Sequence, residues 1–265
     1  MPELPDLEVL RRRLREGLLE SKVLDIEVLS DRALKTRYFK PAVLKKGILR
    51  EVSRKGKNLI LEFHSGFKLL FQPLLKGWVS FEVPGEAAPL LRLSFEGGRE
   101  LYFIEYKNKG MAGLYIVRKL EGLSFMKKLG VDPLSEEFTI DYLAGAVGER
   151  KDRLKAFLVD QKIIAGVGNA YADEILWEAR LSPFRICADL DESEVEELFR
   201  AVRSVLDSAI SVLEEVSGEG LPPFEYREHL KVHRREGQPC PRCGAIIKAV
   251  YEGERGTFFC PECQR

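Results

Sequence analysis

No stretch of this chain approaches the roughly 18 consecutive apolar residues that a membrane-spanning helix needs, so the sequence predicts none. Charge of one sign is missing too. The 42 Lys and Arg are balanced by 42 Asp and Glu, which by itself argues against a partner held by bulk positive charge. Internal repeats and low-complexity tracts are absent, which excludes solenoid and array architectures. The first 20 residues carry Glu3, Asp6, Glu8, Arg11, Arg12 and Arg13, so an apolar secretory leader is not expected and the reading is a soluble, cytoplasmic protein. There are only five cysteines, and four of them fall within one short terminal stretch.

What is present is segregated. Residues 32–57 hold Arg32, Lys35, Arg37, Lys40, Lys45, Lys46, Arg50, Arg54, Lys55 and Lys57 against a single acid, Glu51. Residues 189–215 are strongly acidic, with only Arg200 and Arg203 opposing. A local basic groove is enough to attract phosphates when the mean charge is zero; two solvated faces are the plainer reading. At 265 residues and 45% hydrophobic, the chain can bury one large core or two modest ones.

Leu7, Leu10, Leu14 and Leu18 follow helical spacing behind Pro5 and predict an amphipathic helix over residues 5–20. From about 22 to 118, short apolar runs such as "KNLILEF", "FKLLF", "WVSFEV" and "ELYFIEY" are broken by Gly and Pro. They predict antiparallel strands of a sandwich or barrel. After the connector "LGVDPLSEEF" the texture is helical, ending in a long run capped by Asp191 or Ser193. Residues 217–232 read as a polar loop. The fold class is α+β, with domains at 1–130 (β-sandwich), 131–232 (helical) and 233–265 (a cysteine-bearing hairpin).

Cys240, Cys243, Cys260 and Cys263 form C-x2-C, sixteen residues, then C-x2-C. Each knuckle can offer two thiolates to one metal, and four thiolates complete a closed structural zinc site. Two disulfides are the alternative, disfavoured in an intracellular chain. "AGVGN" (165–169) turns between two helices and sets Asn169 near a helix N-terminus, a place where backbone N–H groups can grip phosphate. An Asn-capped turn between packed helices explains the same residues. The opening "MPELPDLEV" is a frayed end ahead of a Pro-started helix, or, once Met1 is trimmed, a secondary amine at Pro2 beside the acid Glu3.

Together "PELPDLEV", "RKGKNLILEF", "LGVDPLSEEF", "DQKIIAGVGNAYADEILWEARLSP" and "EGQPCPRCGAIIKAVYEGERGTFFCPECQ" resemble, in order and over nearly the whole chain, the formamidopyrimidine-DNA glycosylase/endonuclease VIII family. The resemblance implies a β-sandwich, a helix–two-turn–helix domain and a zinc finger, with damaged DNA bound between domains by a monomer. It implies a bifunctional glycosylase and abasic-site lyase that excises oxidised bases and nicks by β,δ-elimination. By position, Pro2 is the nucleophile that forms a Schiff base and Glu3 protonates the opening sugar. Lys57 is the strand lysine of β-elimination, and Arg255 the finger arginine of δ-elimination. Lys151 and Asn169 hold DNA phosphates, and one structural Zn2+ sits on the four cysteines. An N-terminal amine suits the chemistry, because its pKa near 8 leaves much of it unprotonated.

The lesion-reading residues depart from the family. The loop that carries an Arg-Phe pair reads "IEYKNKGMAG" here, with Lys107, Lys109 and Met111 as candidates to replace it. Leu75 stands at the void-filling Met, no His occurs near residue 90, and Asp6 replaces Glu. The lesion-capping region near "SGEGLPPFEY" is short. These departures leave room for a lyase with little base excision, or for an idle zinc-finger protein that binds damaged DNA.

Overall fold

The computed structural model describes residues 1–36, 38–107, 111–148 and 150–265; Lys109 lies outside them. The chain divides into two compact units. Residues 1–127 and 213–226 form the first; 128–212 and 227–265 form the second.

In the first unit, α1 (Leu4–Leu18) buries Leu7, Leu10, Leu14 and Leu18 on one face. Eight strands follow: β1 (Val23–Val28), β2 (Leu49–Lys55), β3 (Asn58–Phe63), β4 (Lys68–Gln72), β5 (Gly77–Ser80), β6 (Ala87–Phe95), β7 (Glu100–Tyr106) and β8 (Gly113–Val117). They make two antiparallel four-stranded sheets, ordered β1-β6-β7-β5 and β2-β3-β4-β8. Leu61, Leu69, Phe71, Leu91, Phe103 and Ile116 meet in one core with the leucines of α1. The sandwich texture of the sequence is therefore real, and the helix sits one residue earlier than Pro5 suggested.

One polar device organises this unit. Glu8, buried on α1, accepts from Arg11 Nη2 at 2.6 Å, Arg12 Nε at 3.0 Å and Arg54 Nε at 3.3 Å. Arg54 in turn donates to the Gly56 carbonyl at 3.1 Å. Burial alone would raise the Glu8 pKa, but Arg11, Arg54 and Arg12 outweigh it and hold the carboxyl below its ordinary value. A depressed carboxylate pKa stabilises the fold above the unfolded value of 4.5 and loses that contribution as pH falls through the folded value. Glu8→Gln should therefore cost about 2–3 kcal/mol near neutral pH. The gap between wild type and variant should close on titration into acid below pH 4.5, read as melting temperature against pH. A gap independent of pH would mean that packing, not charge, holds Glu8.

The second unit contains α2 (Ile140–Val147), α3 (Leu154–Val159), α4 (Asn169–Glu178) and most of α5 (Glu192–Ser217), whose last residues from Leu213 belong to the first unit. Asp191 caps α5, taking the Glu194 N–H at 2.9 Å while Glu194 takes that of Asp191 at 3.0 Å. Gly130, in "LGVDP", runs so close to the 161–164 backbone that a Cβ there would meet the Ile163 carbonyl at 2.2 Å. The motif therefore needs glycine. A hairpin, β9 (Lys248–Glu252) and β10 (Arg255–Phe259), closes the chain. No helix among the described residues is long and apolar enough to cross a membrane.

Candidate active site and nucleic-acid interface

In the first unit the N-terminus is held by its own sequence. Glu3 is the N-cap of α1, and Asp6, three residues on, accepts the Glu3 N–H at 2.8 Å. Both carboxylates are buried, as is Pro2. Asp6 therefore closes the capping box of α1, and it fixes the direction in which residues 1–3 leave the helix.

Lys57, expected on a strand, lies instead in the turn between β2 and β3. Lys55 pairs with Asn58, so Gly56 and Lys57 are the two turn residues. Gly56 takes φ +56, which an L side chain disfavours. Asn58 Nδ2 bonds the Lys55 carbonyl at 3.0 Å, and the Glu8–Arg54 pair braces Gly56. The half-buried Lys57 ammonium has its pKa pushed down by desolvation, offset in part by the Glu3 and Asp6 carboxylates. The structure thus gathers Glu3 and Lys57, with Asp6 as the added charge, around the Pro2 end of the chain. Leu75 and Met111 are exposed apolar side chains, and the Met111 and Ala112 N–H groups are both held at 2.9 Å by the buried carboxylate of Glu105.

In the second unit Lys151 is exposed on the segment entering α3, Asn169 is the first residue of α4, and Arg255 is exposed at the start of β10. Gly168, not Asn169, is the cap of α4, and no side-chain bond closes that cap. A residue the sequence reading missed shapes this turn. Gln161 donates to the Val159 and Val167 carbonyls at 2.9 and 2.7 Å and accepts from Gly166 N at 2.9 Å.

A buried polar cluster was also missed. Lys155 Nζ lies 2.7 Å from Asp173 and donates to the Gly256 carbonyl at 2.8 Å and to Thr257 Oγ1 at 3.0 Å. Asp173 is hydrogen-bonded to His233 Nδ1 at 2.7 Å. Its neighbour Glu174 accepts three successive N–H groups, from Lys231, Val232 and His233, at 2.8–2.9 Å. α3, α4, the 231–233 segment and the strand carrying Arg255 are thus tied together through two buried carboxylates. Only the spacing of Asp173 and Glu174 on a largely apolar helix hinted at them.

The four cysteines cluster with all Sγ atoms within 4.8 Å of one another. The Cys240–Cys263 and Cys243–Cys260 separations of 3.9 and 3.5 Å match the edges of a tetrahedron with metal–sulfur bonds of about 2.3 Å. Burial would raise the Cys240 thiol, but the Trp177 indole N–H at 3.4 Å and the N–H groups of Arg242 and Cys243 bring it down to about 6. Burial and the neighbouring cysteines push Cys263 up to about 12. Four thiolates in this space need a dication, and the donor set fits a structural Zn2+. Cys187, its thiol pushed up to about 11 by burial and by Asp152, stands apart as an inert core residue.

Three family models match in this order: the formamidopyrimidine-DNA glycosylase N-terminal domain over residues 1–112, the H2TH domain of the same glycosylase over 129–218, and the zinc finger found in FPG and IleRS over 237–265. The chain is 35% identical to the formamidopyrimidine-DNA glycosylase of Pelotomaculum thermopropionicum, covering 100% of this chain and 99% of the relative. It is 38% identical to that of Thermus thermophilus, covering 100% and 98%. Among solved structures, the MutM (Fpg) protein of Thermus thermophilus superposes with a TM-score of 0.85 at 34% identity, covering 99% of this chain and 98% of that one. A Lactococcus lactis enzyme in complex with DNA containing an oxidized pyrimidine does so at 0.86 and 27% identity, with full coverage of both. With its helix-capped Pro-Glu terminus, its four-cysteine cluster and these full-length likenesses, the chain belongs to the formamidopyrimidine-DNA glycosylase family.

Proposed function

We propose that Pro2, exposed by removal of Met1, is the nucleophile of this base-excision-repair glycosylase, and that the enzyme also cleaves abasic sites through the resulting Schiff base. The observation that carries the reading is the buried pair Glu3 and Asp6 facing a desolvated Lys57, one residue from the Pro2 nitrogen. The Pro2 lone pair attacks C1′ of the damaged nucleotide, the base departs with its electron pair, and Glu3 protonates O4′ as the sugar opens. Lys57, with its pKa pushed down, is suited to remove a proton in the β-elimination that follows. Lys151 and Asn169 grip phosphates of the damaged strand, and Arg255 does so from the finger, where it also assists δ-elimination. The substrates are oxidised bases in DNA, acted on by a monomer within the cell. Leu75 and Met111 supply the apolar volume that replaces the flipped nucleotide, with Met111 set by the Glu105 carboxylate.

Borohydride trapping tests this. Wild-type protein should form a covalent adduct with abasic-site and oxidised-base oligonucleotides, with peptide mapping placing the DNA on Pro2. Pro2→Gly should lose most of that yield, about 10²-fold in rate. Trapping on abasic DNA alone would mark a lyase that excises little. Absence of any adduct would remove the enzyme reading.

A further inference from the structure

The 218–226 segment, short where the family caps its lesion, ends against the N-terminus of the chain. Phe224 stacks on Tyr106 with centroids 4.3 Å apart and meets Trp78 edge-on at 5.6 Å. Lys76 Nζ lies 5.3 Å from the same ring and 2.8 Å from Glu225 Oε2. The other Glu225 oxygen, Oε1, forms an ion pair with the terminal ammonium of Met1. Glu225 adopts φ +50, an unfavourable conformation for a side chain of its kind, and is 19% exposed. Strain of this sort persists where surrounding contacts over-determine it. Here the Phe224 anchor and the Lys76 pair do so.

We propose that Glu225 is the proton acceptor for the nucleophilic amine, with Lys76 as its positioning residue. The inference rests on Pro2 being the nucleophile. Removal of Met1 passes the terminal amine to Pro2, whose Cα is about 3.8 Å along the chain, so the Met1 ammonium that pairs with Glu225 Oε1 is succeeded by the Pro2 amine. When the secondary amine attacks, the N–C1′ bond forms and the C1′–base bond breaks with its pair leaving on the base. The nitrogen is then cationic and still carries its proton. It must shed that proton before its lone pair can expel O4′ and make the iminium. Glu225 takes this proton; O4′ receives another from Glu3. The charged groups around the amine are then Glu225 and Lys76 on one side, Glu3 and Asp6 from α1, and Lys57 from the β2–β3 turn, which senses both of those acids. A single base with its own counter-cation divides proton removal from proton donation, which one acid could not do at once.

The test is single-turnover borohydride trapping on abasic-site DNA between about pH 5 and 9, with peptide mapping of every adduct. Glu225→Gln keeps the shape and cannot accept the proton. Its plateau rate should fall about 10²-fold, with DNA affinity within about twofold of wild type. Its acid limb should move to lower pH, because the ammonium loses its carboxylate partner. Glu225→Asp should recover part of the rate, and Lys76→Met should lower the rate without moving the adduct from Pro2. A Glu225→Gln rate and acid limb like those of wild type, with the adduct still on Pro2, would overturn the role of Glu225 alone. An adduct mapped to another residue would overturn the Pro2 reading first, and Glu225 with it. A matched melting temperature for the Gln variant separates loss of chemistry from loss of fold.

Discussion

Chelating zinc should unfold residues 237–265 and weaken DNA binding together. The finger has little core of its own. Cys240, Ile247 and Cys260 are buried with Val232 and with Trp177 of α4, and among the described residues Phe258 is the one further buried apolar side chain of the finger. Apparent binding energies of structural zinc are about 10–16 kcal/mol near neutral pH, more than a hairpin of this size recovers from packing. The expected readout is a rise in Trp177 solvent exposure by fluorescence as zinc is withdrawn. Binding to abasic-site DNA should show a salt dependence reduced by about one phosphate contact or more, as Arg255 is lost. Cys260→Ser should reproduce both effects. Unchanged DNA binding after full metal removal would take Arg255 out of the interface.

Asp173→Asn should be the most damaging substitution outside the metal site. The carboxylate is fully buried, and Lys155 and His233 are both turned toward it at 2.7 Å. Removing one member of a buried ion pair costs about 3–5 kcal/mol, because the others are left without compensation. For a unit of this size that is a melting-temperature loss of about 10 °C. The damage should travel, because Lys155 also holds Gly256 and Thr257, the residues next to Arg255. Replacing the set with apolar residues, Lys155→Met with Asp173→Leu and His233→Phe, should recover stability but not phosphate binding. A single Asp173→Asn protein that melts like wild type would show that the pair contributes register rather than stability.

The difference between what the sequence discloses and what it conceals follows from distance along the chain. α1, the strand runs and the cysteine knuckles repeat at periods of a few residues, so local pattern is enough. Lys57 misled by a single position: "KNLILEF" read as strand from its first residue, but a two-residue turn with Gly56 at its head takes the lysine out of the ladder. Asp173 and His233 sit sixty positions apart, and Lys155 and Gly256 about a hundred. Neither pair has a signature, since an acid on a helix and a His before a finger are both ordinary. Gln161 was hidden differently. Its work is done on backbone atoms of Val159, Gly166 and Val167, which no side-chain pattern in the sequence discloses. Glu225 lay in a segment notable only for being short, and its role depends on a side chain meeting the terminus of the chain itself.

The finger leans on α4 at three levels. Trp177 donates to Cys240, and Arg242 lies 3.9 Å over the Trp177 ring while bonding the Trp177 carbonyl. The last residues bond back to the stretch after α4, Gln264 to the Leu181 carbonyl and Arg265 N to that of Arg180. Such a finger is not a portable cassette. Grafted onto another protein from the first cysteine onward, it would leave behind the indole that fills its centre and the carbonyls that seat its end. Recombination could exchange it only together with α4, so the metal site and the Asn169 turn at the head of that helix are inherited as one piece.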